Sequence, residues 1–194
     1  MPAGDLCTLA NVQSYLTAPS SGTAGVLAML ITQVSDWVQG YCERRFDGIN
    51  TYIWLTDGRG GDTLPLPERP VGEVLSVVAD GVSLSPSCYL VDDHSITLQG
   101  GVFRRGRKNV QITYTAGFPY VFTPGVDGAP DTITGLPPGL SLAVIQTVCL
   151  RFQRRGSLGK NSEGMTGQTT SYDKDIAPKD AMAIFNKYRK NIPW

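Results

Sequence analysis

Over residues 109–155 the spacing of apolar side chains changes from two to between three and four, and that change limits the fold more than any other feature of the chain. In Asn109–Phe118, Val110, Ile112 and Tyr114 fall on one side of the backbone and Gln111, Thr113 and Thr115 on the other, which is the pattern of a half-buried strand. Gly117 permits the turn that ends it. About twenty residues later Pro137-Pro138 disfavours helix upstream and pre-sets φ for a helix start. Leu140, Ala143, Val144, Thr147, Val148, Arg151 and Phe152 then recur at helical spacing. The chain passes from sheet to helix, so the fold class is α+β.

Two helices precede the sheet. Thr8 can cap a short one running to about Leu16, in which Leu9, Val12, Tyr15 and Leu16 form one stripe, closed by Pro19 and Gly22. A longer one is predicted over Thr23–Arg45, with Val26, Leu27, Leu30, Ile31, Val34, Trp37, Val38, Tyr41 and Cys42 on a wide apolar face. Each such side chain contributes about 1.5–3 kcal/mol on full burial, whereas each ordered backbone costs roughly 1–2 kcal/mol. The helix therefore needs a partner, and the helix of residues 138–155 offers a matching stripe. That second helix ends in Arg151, Arg154 and Arg155, charges suited to a helix C-terminus.

Between the helices the sequence predicts strands over Thr51–Thr56, Thr63–Leu66, Val71–Ala79, Ser87–Val91, Ser95–Leu98 and Asn109–Thr115, separated by Asp57-Gly58, Pro67, Asp80-Gly81, Asp92-Asp93 and Gly100-Gly101. Short strands spaced this way suit a compact antiparallel subdomain. Residues 119–135 and 156–170, rich in Gly, Pro, Ser and Thr, are expected to be irregular. A last helix is expected over Asp180–Lys190. The expected organisation is a bundle of about four helices carrying an inserted β subdomain: N-terminal helices over 1–48, the insertion over 49–118, a loop and third core helix over 119–155, and a flexible segment with the C-terminal helix over 156–194.

The 194 residues suffice for one good core, with or without a sizeable insertion. Seventeen basic and seventeen acidic residues cancel, so no overall field draws the protein to nucleic acid or anionic membrane, and any such contact must be local. This argues against a free-standing DNA-binding module. Cys7, Cys42, Cys88 and Cys149 stand singly, without the close pairs of zinc or redox motifs, which fits a reducing compartment. No apolar run approaches the roughly 18 residues of a membrane span, and no secretory pattern opens the sequence. The expectation is a soluble protein made in the cytoplasm.

Reactive groups do not converge. His94, the one histidine, follows Asp92-Asp93, but adjacent residues on an extended chain point to opposite sides and no other histidine completes a ligand set. A polar turn accounts for all three. Gly156–Ser162 offers glycines and Lys160 to an anion, yet a phosphate-binding loop needs Gly where Arg154 stands and Ser or Thr where Asn161 stands, and it should follow a strand. Neither catalytic residues nor a metal or cofactor is expected. Two binding features remain: the cations Arg104, Arg105, Arg107 and Lys108, which either face DNA phosphates or form a solvated tip, and the terminal Ile192-Pro193-Trp194, an aromatic anchor for a partner or for its own domain.

The order of these elements resembles the head-to-tail connector family of tailed bacteriophages, also called head completion or DNA-packaging adaptor proteins. The resemblance runs from the Leu9–Leu16 helix through Tyr41-Cys42-Glu43-Arg44-Arg45-Phe46, Leu64-Pro65-Leu66-Pro67 with Arg69-Pro70-Val71, and Tyr114-Thr115-Ala116-Gly117-Phe118. It continues through Pro137-Pro138-Gly139-Leu140, Arg154-Arg155-Gly156 and Ser171-Tyr172 before a basic last helix. The loop of residues 119–136 reads as an insertion relative to that pattern, and the 104–108 segment is unusually charged. The resemblance implies a structural adaptor in the virion neck: a dodecameric ring that docks on the portal protein, extends the channel for genomic DNA without reading its sequence, and receives a stopper or tail-completion protein. It places Arg151, Arg154, Arg155, Tyr188, Ile192 and Trp194 at the portal, and Arg104, Arg105, Arg107 and Lys108 in the channel. A stopper or tail terminator is the alternative of similar composition.

Overall fold

Thr8 starts the first helix as its spacing predicts: its hydroxyl accepts the Asn11 N–H, and α1 runs over Leu9–Tyr15. In a computed structural model of the chain, residues 4–16, 22–127, 129–157, 162–165, 168–171 and 176–190 are described. They fall into two compact units, one built from Met1–Glu43 and Val121–Arg189, the other from Arg44–Tyr120 and the stretch beginning at Lys190. The class is α+β.

The second helix, α2, spans Ala24–Cys42 and buries Leu27, Ile31, Val34, Ser35, Val38 and Cys42. Its other positions do further work. Thr32, Ser35 and Gln39 share one side of α2 and pin the segment before α1: the Ser35 hydroxyl accepts the Leu6 N–H at 2.9 Å, and the Gln39 amide donates to the Gly4 carbonyl at 3.3 Å. Thr32 faces the Asp5 carboxylate at 3.5 Å. The helix stops three residues before the expected Arg45 because Glu43 takes the left-handed conformation, φ 51°, and its N–H returns to the carbonyls of Gln39 and Gly40.

Seven strands follow: β1 (Ile49–Gly58), β2 (Thr63–Pro65), β3 (Val71–Ala79), β4 (Val82–Ser83), β5 (Tyr89–Val91), β6 (Ser95–Leu98) and β7 (Gly106–Gly117). They form two antiparallel sheets, ordered β1-β7-β3-β4 and β2-β6-β5. The long pair runs in register from Ile49 opposite Gly117 to Thr56 opposite Val110, then shifts at Gly58. Leu64, Tyr89 and Ile96 from the smaller sheet and Val77, Val110, Ile112, Tyr114 and Ala116 from the larger one bury a single core, with Leu66 and Phe103 between them. The alternation in 109–118 is thus a strand facing that core. Its outer face leaves Ile53 and Leu55 of β1 exposed, at 70% and 49%.

The expected strand over Ser87–Val91 is shorter than its β-formers suggest. Pro86 fixes a 3-10 turn over Pro86–Cys88, and only Tyr89–Val91 pairs. Asp92, Asp93 and His94 make the turn to β6: the Asp92 N–H meets the Ser95 carbonyl, while the carbonyls of Asp93 and His94 accept the N–H groups of Val71 and Leu66. They hold backbone, as a structural turn would, and no group of metal-ligating side chains occurs among the described residues.

Two segments expected to be irregular contain hairpins. In 119–135, β8 (Val121–Thr123) pairs with β9 (Thr132–Thr134), and the loop between them is tied by the Gly125 N–H to the Asp131 carboxylate at 2.9 Å. The prolines at 119, 124 and 130 lie outside the paired residues, so they bound the strands and do not break them. In 156–170, a 3-10 turn over Arg155–Ser157 precedes the hairpin of β10 (Ser162–Met165) and β11 (Gln168–Ser171). Between these hairpins α3 runs over Pro138–Arg154, burying Leu140, Ala143, Val144, Thr147, Val148, Cys149 and Phe152 against α2 and α4. The last helix, α4, spans Lys179–Tyr188 and buries Ala181 and Phe185. No helix of the described residues is long and apolar enough to cross a membrane.

Candidate functional site

The last turns of α2, α3 and α4 meet at a ladder of aromatic rings and cations. Trp37 and Tyr41, one turn apart on α2, stack with centroids 5.5 Å apart, and Phe185 of α4 meets the Trp37 ring edge-on at 5.9 Å. The Arg151 guanidinium of α3 lies 5.4 Å from the Trp37 centroid, and that of Arg189 lies 5.4 Å from the Tyr41 centroid. The Tyr41 hydroxyl donates to the Asn186 side chain at 2.6 Å, and Arg189 approaches Glu43 at 3.8 Å. Helix C-termini carry partial negative charge, so a cluster of cations is electrostatically at home where three of them end. Burial without a carboxylate partner among the described residues pushes the Arg151 pKa below the usual guanidinium value.

The structure divides the side chains expected at the portal. Arg151 is held by Trp37, as above. Arg155 folds back, its Nη1 donating to the Phe152 carbonyl at 2.7 Å and its guanidinium lying 3.8 Å from the Phe152 ring centroid. It caps α3. Arg154 is half-buried, and Tyr188 sits 5.9 Å from the Lys187 ammonium. Ile192 and Trp194 lie outside the described residues. Trp37, Tyr41 and Arg189 belong to this cluster but do not stand out in the sequence, because their spacing reads as an ordinary apolar face and a basic helix end. The i, i+4 aromatic pair was the available signal.

The cations at 104–108 do not share one hairpin tip. Arg104 and Arg105 precede β7, whereas Arg107 and Lys108 are already in it, so the expectation of a single loop is corrected. All four are exposed, and none has a carboxylate within ion-pair distance among the described residues. Their backbone is tightly tied. The Asn109 side chain accepts the Gly58 N–H at 2.8 Å and donates to the Asp80 carboxylate at 2.8 Å and the Arg104 carbonyl at 3.0 Å. The Lys108 N–H reaches the Asp57 carboxylate at 2.6 Å, with Lys108 at φ 49°. Position 58 must be glycine, since a Cβ there would lie 1.9 Å from the Arg104 carbonyl oxygen. The strand register breaks at that point and delivers the cations outward.

These features define a class: an α+β structural protein with exposed cationic and apolar surfaces, whose described residues assemble no reactive set. Comparison then fixes the family. The family model for head completion proteins matches residues 5–191, and the chain belongs to that family. It is a virion assembly protein. No curated protein matches the sequence significantly. Among solved structures, the fold is similar to a chain in the neck of an empty gene transfer agent particle computed with C6 symmetry, at 19% identity and TM-score 0.51, covering 96% of this chain and 90% of that one. It is likewise similar to chains in the virion of the native gene transfer agent particle and in its neck computed with C12 symmetry. Each of these has 18% identity, TM-score 0.52 and coverage of 96% and 90%. At these identities the likeness is one of fold.

Proposed function

We propose that the protein is a head-to-tail adaptor: copies close into a ring in the neck, dock on the portal, extend the DNA channel and present a platform for a stopper or tail-completion protein. The observation that carries this reading is the family match across nearly the whole chain. Similar folds in particle necks with sixfold and twelvefold symmetry support a ring. Its surface supports one as well: Val26 and Met29 on α2 are 40% and 56% exposed, and β1 adds Ile53 and Leu55. Contact between neighbours would remove this apolar area from water.

The described ends of α3 and α4, with Arg151, Arg154, Arg155 and Tyr188, are the proposed portal-facing end. Arg104, Arg105, Arg107 and Lys108 are proposed to line the lumen, where unpaired cations meet phosphate charge without reading bases. Binding is the function and no bond is made.

The test is mass measurement of the purified chain, alone and mixed with portal, together with cryo-electron microscopy of heads lacking it. An adaptor forms a complex of many copies with portal, and its loss removes density directly beneath the portal. Density missing at the tail end instead identifies a tail terminator. A single copy per virion overturns the ring. Glu replacements at 104, 105, 107 and 108 that leave DNA retention in filled heads unchanged overturn the lumen assignment.

A further inference from the structure

In the unit of residues 44–120, the smaller sheet and β1 leave a cleft of about 120 Å³, lined by Trp54 and Thr56 of β1, Arg59, Thr63–Pro65 of β2, and Pro67. Its chemistry is specific. An indole and two prolines present flat apolar faces, the kind of surface on which an extended, proline-containing segment lies. Arg59 adds an exposed guanidinium whose side chain has no partner among the described residues.

The page also shows which segment comes close. Glu68, next in sequence to Pro67, forms an ion pair with the Lys190 ammonium, 122 positions away. Both side chains are largely buried, at 12% and 21% exposure, so the pair is a fixed attachment and not a screened surface contact. Lys190 is followed directly by Asn191-Ile192-Pro193-Trp194. Four extended residues reach about 13 Å, and Pro193 biases Ile192 and itself toward the extended geometry such a groove accepts.

We propose that this cleft is the seat of the chain's own Ile192-Pro193-Trp194 segment, led in by the Lys190–Glu68 pair. Pro193 lies against Trp54 and the prolines, and the Trp194 indole takes the Arg59 guanidinium on its face. The seat shields an apolar aromatic group that would otherwise face water in the free protein. It is independent of the adaptor reading, because it concerns one chain alone.

The test is acrylamide quenching of the purified chain, the Trp194 contribution being obtained by difference from W194F. The expected Stern–Volmer constant for Trp194 is several-fold below that of the free peptide Asn-Ile-Pro-Trp and does not change on dilution. Arg59→Glu, an exposed position whose replacement leaves the far-ultraviolet circular dichroism unchanged, and Glu68→Gln each raise it toward the peptide value. A Trp194 as accessible as the peptide overturns the proposal. So does shielding that vanishes on dilution, which assigns the cleft to a neighbour's segment, or shielding that neither variant alters.

Discussion

The side-chain oxygen of Asn109 accepts the backbone N–H of Gly58 at 2.8 Å, a bond that joins β7 to the end of β1 where their register breaks. The same amide donates to Asp80 and to the Arg104 carbonyl, so one side chain ties three stretches of backbone around the cationic segment.

Asn109→Ala removes all three bonds and leaves the Gly58 N–H without its acceptor. The expected loss is about 1–3 kcal/mol of stability, with the unfolding midpoint in urea shifted down and its slope unchanged. An unshifted midpoint would mean that the segment is held by its other contacts alone.

Trp37 should matter more than the arginine above it. Trp37→Ala leaves a cavity among Tyr41, Phe185 and Arg151 and is expected to cost about 2–3 kcal/mol, less than the ~3–5 kcal/mol of a fully buried aromatic because this ring is half-exposed. Arg151→Gln keeps the ring and is expected to cost under about 1 kcal/mol. Chemical denaturation of the two variants separates them; equal losses would mean that the cation, not the packing, holds the ladder.

Cys7, Cys42 and Cys149 are buried and Cys88 is exposed. Burial also pushes the Cys7 and Cys149 thiols up, away from the reactive thiolate. Under native conditions a maleimide is expected to label one thiol per chain, and a C88S variant none until denaturant is added. Mass spectrometry counts the adducts.

Tyr114 should make stability fall at alkaline pH. Burial raises its phenol pKa to about 12, above the unfolded value near 10, so the folded state favours the neutral form. The stabilisation is complete below pH ~10 and is lost as pH rises towards 12. The buried Tyr114 hydroxyl also accepts the Glu68 N–H at 3.1 Å, so Tyr114→Phe is expected to cost about 1 kcal/mol at neutral pH. The variant should show a shallower decline between pH 10 and 12 in urea unfolding, and an unchanged slope would refute the assignment.

The legible parts of the sequence were those with local punctuation. Val71–Ala79 lies between Pro70 and Asp80-Gly81, Ser95–Leu98 stands between an acidic turn and two glycines, and both strands occupy those residues. The β8 and β9 hairpin was hidden because Val121-Phe122-Thr123 and Thr132-Ile133-Thr134 are too short to show a period and are flanked by prolines that read as loop. Their pairing is a tertiary fact. Much of the site was hidden for the same reason. Basic residues at the end of α3 are visible in sequence, but whether Arg155 reaches outward or turns back on Phe152 depends on neighbours that spacing does not name. The split of Arg104–Lys108 between a connection and a strand likewise follows from the long reach of β7 past its expected start at Asn109, set by Gly58 opposite Gly106.

Ile49 and Gly117 face each other across β1 and β7, which puts the entrance and exit of the 44–120 unit side by side. A segment hemmed at both ends in this way is a removable cassette. It can be excised and bridged by a short linker, or exchanged wholesale for a counterpart from a relative, without forcing the flanking polypeptide to span a gap. Lineages that trade such cassettes could alter what the β unit touches while the helices keep their own packing.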